Sequence, residues 1–231
     1  MKERLILVTG MARGGISLVA GVIERCGAWG GKTVRSIKSD NYGSFENVEI
    51  RNTMVRPLLR GMGVDPNGQC PLPDVKDCRN IAKKISPWWK KRFHWIIQQQ
   101  TYPGDGRPVY FVNAQSCLIW PIWAEAYPEA QWVIVRRKDE EIIESCMNTG
   151  YMTGYDTKEG WQRWIDMHKW RFAEMVNQRL DVLQIWPQEM LRGDLTRLRE
   201  LVDHLGLDWE EADVHDYLAP LLWKEGVFEL T

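Results

Sequence analysis

Four short apolar runs, each continuous rather than alternating, constrain this chain more than any other feature. They are Leu5-Ile6-Leu7-Val8, Val109-Tyr110-Phe111-Val112, Trp132-Val133-Ile134-Val135 and Val182-Leu183-Gln184-Ile185. A strand with one wet face alternates apolar and polar side chains, whereas a continuous apolar run suits a strand covered on both faces. Amphipathic helices lie between the runs. Ile16, Val19, Ala20 and Ile23 fall at i, i+3, i+4 and i+7, and that helix stops near Gly27. Ile142, Ile143, Cys146 and Met147 form one face of another, whose first turn carries Asp139, Glu140 and Glu141 to suit its dipole. Leu195, Leu198, Leu201, Val202 and Leu205 stripe a third, with Asp194 as N-cap and Gly206 as the C′ stop. Alternation of this kind means an α/β fold with a parallel sheet covered on both sides. A length of 231 residues suits one such domain over 1–231, with a helical insertion over about 47–104.

Thirty basic side chains against thirty-one acidic ones give a net charge of −1, which argues against a dedicated binder of nucleic acid or anionic membrane. The charge is uneven, however. Residues 78–104 hold six Lys or Arg and no acid, while from Asp203 onward there are eight acids and one Lys. The basic stretch Arg79 to Arg92 is interleaved with Trp88, Trp89, Phe93 and Trp95, and Pro87 is expected to break it into two helices. It reads either as a stacking surface for nucleic acid or as a solvated helix face with its tryptophans inward. The second is preferred. Five cysteines without a C-x-x-C pair point to reduced thiols in a cytoplasmic protein. The first apolar stretch, interrupted by Thr9, Gly10 and Arg13, is too short for a signal peptide or a membrane span.

Thirteen tryptophans outnumber the seven Tyr and five Phe combined. Trp161, Trp164, Ile165, His168 and Phe172 recur at helical spacing, a core stripe in which His168 is expected to be buried and satisfied. Trp120, Trp123 and Trp132 also read as core. His94, His204 and His215 share no ligand spacing, so no metal site is expected. Residues 61–73 and 149–160 read as loops.

The chemistry gathers after the first strand. Thr9-Gly10-Met11-Ala12-Arg13-Gly14-Gly15-Ile16-Ser17 joins that strand to the first helix. Glycines let successive N–H groups curl toward one anion, and the helix N-terminus adds its dipole. Against the P-loop pattern G-x-x-x-x-G-K-[ST], Gly10, Gly15 and Ser17 match, but the lysine has become Ile16. Without that lysine the loop is unsuited to ATP–Mg²⁺ in the ATPase manner. Anion binding is the preferred reading, and a glycine-rich turn without a ligand is the other.

The segment Val8 to Leu18 resembles the 5′-phosphosulfate loop of the sulfotransferase superfamily, G-x-[KR]-S-G-T-[ST], with Arg13 at the basic position. Three further segments are similar to that superfamily in the same order. Asn41-Tyr42-Gly43-Ser44-Phe45-Glu46-Asn47 resembles N-P-x-G-[YF]-[WF]-E, and Ser116-Cys117-Leu118-Ile119-Trp120-Pro121-Ile122-Trp123 resembles [ST]-C-L-x-x-P-x-W. Arg137, with Ser145 eight residues on, matches the 3′-phosphate motif R-x(7)-S. Residues 195–209, including His204-Leu205-Gly206-Leu207, resemble the final helix and its F-L-G-L ending.

The resemblance implies a P-loop NTPase-like three-layer α/β/α fold. It also implies 3′-phosphoadenylyl sulfate as donor, no metal, and a small-molecule, carbohydrate or lipid acceptor. Ala12, Arg13, Gly14, Gly15, Ile16, Ser17, Arg137 and Ser145 would bind the donor, with Arg13 and Glu46 catalytic. Arg13 would steady the departing phosphate, and Glu46 would take the acceptor's proton. Arg137 could instead form a surface ion pair with Glu140 or Glu141, and Glu46 could be an ordinary glutamate before the helix 48–59. Arg136 should point to the other face and be structural. Trp88, Trp89 and Trp95 are the candidates to line an acceptor cleft, and the loop 149–160 is the candidate lid.

One segment departs from the pattern. Where bacterial relatives carry K-D-P-R, this chain has Val112-Asn113-Ala114-Gln115, which leaves two amides and no charge. Sulfuryl transfer to a hydroxyl or amine is the leading reading. A nucleotide or nucleoside kinase and a non-catalytic nucleotide-binding protein are the alternatives.

Overall fold

A computed structural model describes residues 4–34 and 43–224. Asn41 and Tyr42 of the second resembling segment lie outside the described residues. The chain opens with β1 (Leu5–Gly10) and α1 (Ile16–Arg25), followed by α2 (Val48–Ile50), a π turn (Arg51–Val55), α3 (Arg56–Gly61) and the long α4 (Val75–Gln99). Next come β2 (Val109–Val112), a 3-10 turn (Ala114–Cys117), α5 (Trp120–Ala126), β3 (Gln131–Val135) and α6 (Asp139–Met147). The last elements are α7 (Lys158–Asn177), β4 (Asp181–Ile185), α8 (Pro187–Met190), α9 (Thr196–His204) and α10 (Glu211–Lys224).

All three strand pairings are parallel, in the order β2-β1-β3-β4. The α/β reading from the apolar runs therefore holds. Every residue of the central β1 is buried, and its side chains divide between two cores. Leu5 and Leu7 join the core under α4, α5 and α7, whereas Ile6 and Val8 face the core under α1, α9 and α10. Gly10 makes this pairing possible, because a Cβ there would sit 2.5 Å from the Val135 carbonyl oxygen on β3.

The indoles expected in the core are there: Trp120, Trp123, Trp132, Trp161 and Trp164 are all buried. Trp123 packs against Trp89, Phe93 and Phe111 at 5.1, 5.5 and 5.4 Å between ring centroids. Each such aromatic pair adds about 0.5–1.5 kcal/mol beyond area burial. His168 is buried beside Trp164, with its Nδ1 2.8 Å from the Trp164 carbonyl, and burial pushes its pKa down to about 3. The neutral ring therefore donates from Nδ1.

Three local expectations need correction. Pro87 does not divide the basic stretch: α4 runs through it without a break. Proline costs a helix interior about 3 kcal/mol. Burial of Trp89 and Phe93 against Trp123 on α5 offsets that cost, at about 1.5–3 kcal/mol for a large apolar side chain. Met147 is exposed, so the buried face of α6 is Ile142, Ile143 and Cys146. Asp194 stands one residue before the N-cap of α9, although its carboxylate still accepts the Thr196 N–H at 3.0 Å. The stop at Gly206 holds. Its φ is +58°, Gly206 N–H donates to Asp203 O, and Leu207 N–H reaches back to Val202 O.

Candidate functional site

The strands end at Gly10, Val112, Val135 and Ile185, and the loops beyond those C-terminal ends build the site, as the parallel topology favours. A cavity of about 580 Å³ is lined by Ala12, Arg13, Gly15, Ile16 and Ser17 from the first loop, and by Glu46, Asn113, Gln115 and Arg137 from three others. A second depression of about 540 Å³ meets it at Gly15, Leu18, Arg137 and Leu191, and Gly14 lines that side.

The first loop is built on its glycines. Gly15 is the N-cap of α1 with φ +86°, and a Cβ on Gly14 would stand 2.7 Å from the Met11 carbonyl oxygen. The N-cap supplies no side-chain hydrogen bond and the first turn of α1 holds no acid. The orphan N–H groups of that turn therefore keep their capacity for an anion. Arg13 adopts φ +66°, a left-handed conformation uncommon outside glycine.

Arg13 of the first loop is joined by hydrogen bonds to Arg137 and Ser145 of the R-x(7)-S motif. Arg13 Nε donates to Ser145 Oγ at 2.9 Å, and Arg137 Nη1 donates to the Arg13 carbonyl at 2.9 Å. Arg13 Nη1 also donates to the Tyr151 hydroxyl at 3.2 Å. Ser145 does not line the cavity and meets it only through Arg13. The ion pair expected of Arg137 is present, its Nε donating to Glu141 at 2.8 Å, and the same side chain lines the cavity. Bonds from Arg137 and Gln188 hold the Glu141 carboxyl below the ordinary carboxylate range. Arg136 is structural as expected. It donates to Gln184 at 2.8 Å and stacks on Phe172 and Trp186, and burial lowers its pKa.

On the other side of the cavity, a ring of hydrogen bonds closes on itself. Arg51 is ion-paired with Glu46 through Oε2, and Glu46 Oε1 accepts from Asn113 Nδ2 at 3.0 Å. Asn113 also donates to Gln115 Oε1 at 2.6 Å, and Gln115 Nε2 donates to the Asn67 carbonyl at 2.9 Å. Arg56 Nη2 donates to Asn67 Oδ1 at 2.9 Å, and both Arg56 and Arg51 reach Asn52 Oδ1, at 3.4 and 3.2 Å. The uncharged Asn113 and Gln115 thus serve as hydrogen-bond donors, while cationic charge beside them comes from Arg51.

Sequence reasoning missed Arg51 and Arg56. Five residues apart, they fall on different faces of an α-helix. The π turn, in which the Arg56 N–H bonds to the Arg51 carbonyl, brings them into line, and both border the cavity. Gln69 was also missed. It is buried, and ties Tyr151, Thr153 and Gly154 of the loop 148–157 to the cavity wall. That loop ends earlier than expected, because Thr157 caps α7 and residues 158–160 are its first turn. Tyr151 and Met152 from it line the cavity, whereas Tyr155 packs on Trp161. The tryptophans expected at an acceptor cleft are elsewhere: Trp89 is core, while Trp88 and Trp95 are exposed on α4 and border no part of the cavity.

Among the described residues, no three His, Cys, Asp or Glu side chains gather as metal ligands would, and no helix is long and apolar enough to cross a membrane.

Residues 98–204, just under half of the chain, match the family described as a sulfotransferase domain. The sulfotransferase STF1 of Mycobacterium tuberculosis H37Rv shares the fold, with a TM-score of 0.56 at 12% identity over 95% of this chain and 71% of that one. The sulfotransferase domain of the Synechococcus PCC 7002 olefin synthase gives 0.53 at 14% identity, over 99% of this chain and 89% of that one. No curated protein matches the chain in sequence. The resemblance to the sulfotransferase superfamily therefore holds in the family match and in the fold. Residues 98–204 are thus similar to a sulfotransferase domain, and the whole described chain shares the α/β fold of two sulfotransferase structures.

Proposed function

We propose that this chain is a cytoplasmic transferase, one sulfotransferase-like P-loop domain over residues 1–231. In this reading it moves the sulfuryl group of 3′-phosphoadenylyl sulfate to a hydroxyl or amine of a small-molecule, carbohydrate or lipid acceptor, without a metal. The observation that carries the reading is one cavity lined by the glycine loop, Arg13, Arg137 and Glu46.

The residues present fit such a donor. An uncapped helix N-terminus with no acid in its first turn accepts an anion, and Arg13 and Arg137 add two guanidiniums beside it. The donor brings a sulfuryl group already joined to a phosphate leaving group, so the protein's work is positioning and charge. Residues 12–17 would hold the 5′-phosphate, with Arg13 neutralising it as it departs. Arg137 and Ser145 would hold the 3′-phosphate, with Arg13 turning from Ser145 toward the donor. Glu46, fixed by Arg51 and Asn113, would receive the acceptor's proton, since each carboxylate oxygen keeps a second lone pair.

Thermal denaturation with adenosine 3′,5′-bisphosphate, with ATP–Mg²⁺ and with neither tests the reading. A ligand at a hundredfold excess over Kd stabilises by about 2.7 kcal/mol, roughly 5–10 °C for a chain of this size. Stabilisation by the bisphosphate alone is expected. Stabilisation by ATP–Mg²⁺ alone would instead mark a kinase, and no shift with either would remove the nucleotide site.

A further inference from the structure

Of the side chains lining the larger cavity, four arginines and one glutamate carry charge: Arg13, Arg51, Arg56 and Arg137 against Glu46. Arg13 and Arg137 belong to the glycine-loop network, and Arg51 is balanced by Glu46. Arg56 is left over. Its hydrogen-bond partners are the amide oxygens of Asn52 and Asn67, and its Nε–H is buried with no acceptor among the described residues. Arg56 is half-buried as a whole, and a guanidinium fork holding only neutral amides has unused capacity for an anion. Asp65 makes no hydrogen bond to Arg56: its oxygens accept the backbone N–H groups of Asn67 and Gln69, and its charge reaches the guanidinium only through space. Burial and the adjacent Arg51 lower the pKa of Arg56, while the carboxylates of Glu46 and Asp65 act the other way.

We infer that the ring side of the cavity binds an oxyanion of the acceptor itself: the acceptor is a hydroxy or amino compound that also carries a carboxylate or a phosphate, gripped by Arg56 with Arg51 beside it. The inference rests on the sulfuryl-transfer reading for the word acceptor, and on the lining residues for the anion. Arginine is suited to both groups, since its planar fork matches carboxylate and phosphate alike. The i to i+5 bond of the π turn sets Arg51 and Arg56 on one side of the helix, where an α-helical turn would have separated them. Glu46 lies in the same ring, so an acceptor anchored at Arg56 is held in a cavity whose wall includes the proposed base.

The test uses the full chain saturated with adenosine 3′,5′-bisphosphate and titrated calorimetrically with two probe pairs. One is 4-hydroxybenzoate against 4-hydroxybenzamide, and the other is glycerol 3-phosphate against glycerol. At least one anion should bind tenfold or more tightly than its neutral partner, and which pair shows the preference separates a carboxylate from a phosphate acceptor. Arg56→Gln should abolish the preference, and Arg56→Lys, which keeps the charge but loses the fork, should keep only part of it. Bisphosphate binding serves as the control for folding in both variants. Equal binding within both pairs, or a preference that survives Arg56→Gln or is undiminished in Arg56→Lys, would overturn the inference. Failure of the wild type to bind the bisphosphate, with the Arg56-dependent preference intact, would instead remove the functional reading and leave the oxyanion site.

Discussion

Gln69→Ala should release the loop that carries Tyr151 and Met152 into the cavity. Gln69 Oε1 accepts the N–H groups of Thr153 and Gly154, each at 2.7 Å, and Nε2 donates to the Tyr151 carbonyl at 2.8 Å. Gly154 permits that approach, since a Cβ there would meet the Gln69 Cβ at 2.7 Å. A net hydrogen bond is worth about 1 kcal/mol, so losing three weakens the loop's attachment by about 3 kcal/mol. At 1.4 kcal/mol per decade, that is roughly a hundredfold in the opening equilibrium. The freed backbone groups regain water, so the opening stays local. Amide hydrogen exchange should accelerate about a hundredfold at Thr153 and Gly154 and stay unchanged at Leu7 and Val133 in the sheet. Gln69→Glu keeps the acceptor and loses the donor, and should accelerate exchange by about fivefold. Exchange at Thr153 and Gly154 within threefold of wild type, or acceleration shared equally by the sheet, would refute the clasp.

Three further outcomes are expected. Glu46→Gln should lower kcat by about 10²- to 10⁴-fold in a labelled-sulfate transfer assay while bisphosphate binding persists; unchanged turnover would remove Glu46 as base. His168 is held neutral to about pH 3 when folded, whereas in the unfolded chain it takes a proton below about pH 6.5. Its contribution to stability therefore falls as the pH drops from about 6.5 toward 3, by about 3 kcal/mol at pH 4.5. Urea titrations at pH 7 and 4.5 should show a smaller acid loss for His168→Gln than for wild type. Gly10→Ala would put a methyl against the Val135 carbonyl oxygen and should destabilise by about 3 kcal/mol or more, read as a fall in Tm of at least about 6 °C.

Much of this architecture was legible because single residues carried a physical requirement. The first three apolar runs needed two covered faces (β4, at the sheet edge, is only half-buried), Gly206 needed a left-handed φ, and Trp161 to Phe172 needed a buried helical stripe. The geometry of the first loop was legible for the same reason, since Gly14 and Gly15 stand where a Cβ would clash or the backbone turns left-handed. The arginine ring across the cavity was not. Arg51 and Arg56 face the cavity together only because one turn of helix is wound as π, a choice that leaves no mark in residue spacing. Pro87 misled for a related reason: its local cost was readable, but the aromatic packing that offsets it comes from α5, some thirty residues away in sequence. Trp88, Trp89 and Trp95 lie within the expected insertion, yet only the three-dimensional packing shows that α4 turns Trp89 to the core and the other two outside.

In the proposed function the loop 12–17, with Arg13 as its cation, holds the nucleotide donor. Calorimetric titration of wild type and Arg13→Ala with adenosine 3′,5′-bisphosphate tests it most directly. Loss of a charge-assisted contact to phosphate is worth about 1.5–3 kcal/mol, so binding should weaken by roughly ten- to a hundredfold in the variant. Equal affinity in the two proteins would contradict the claim.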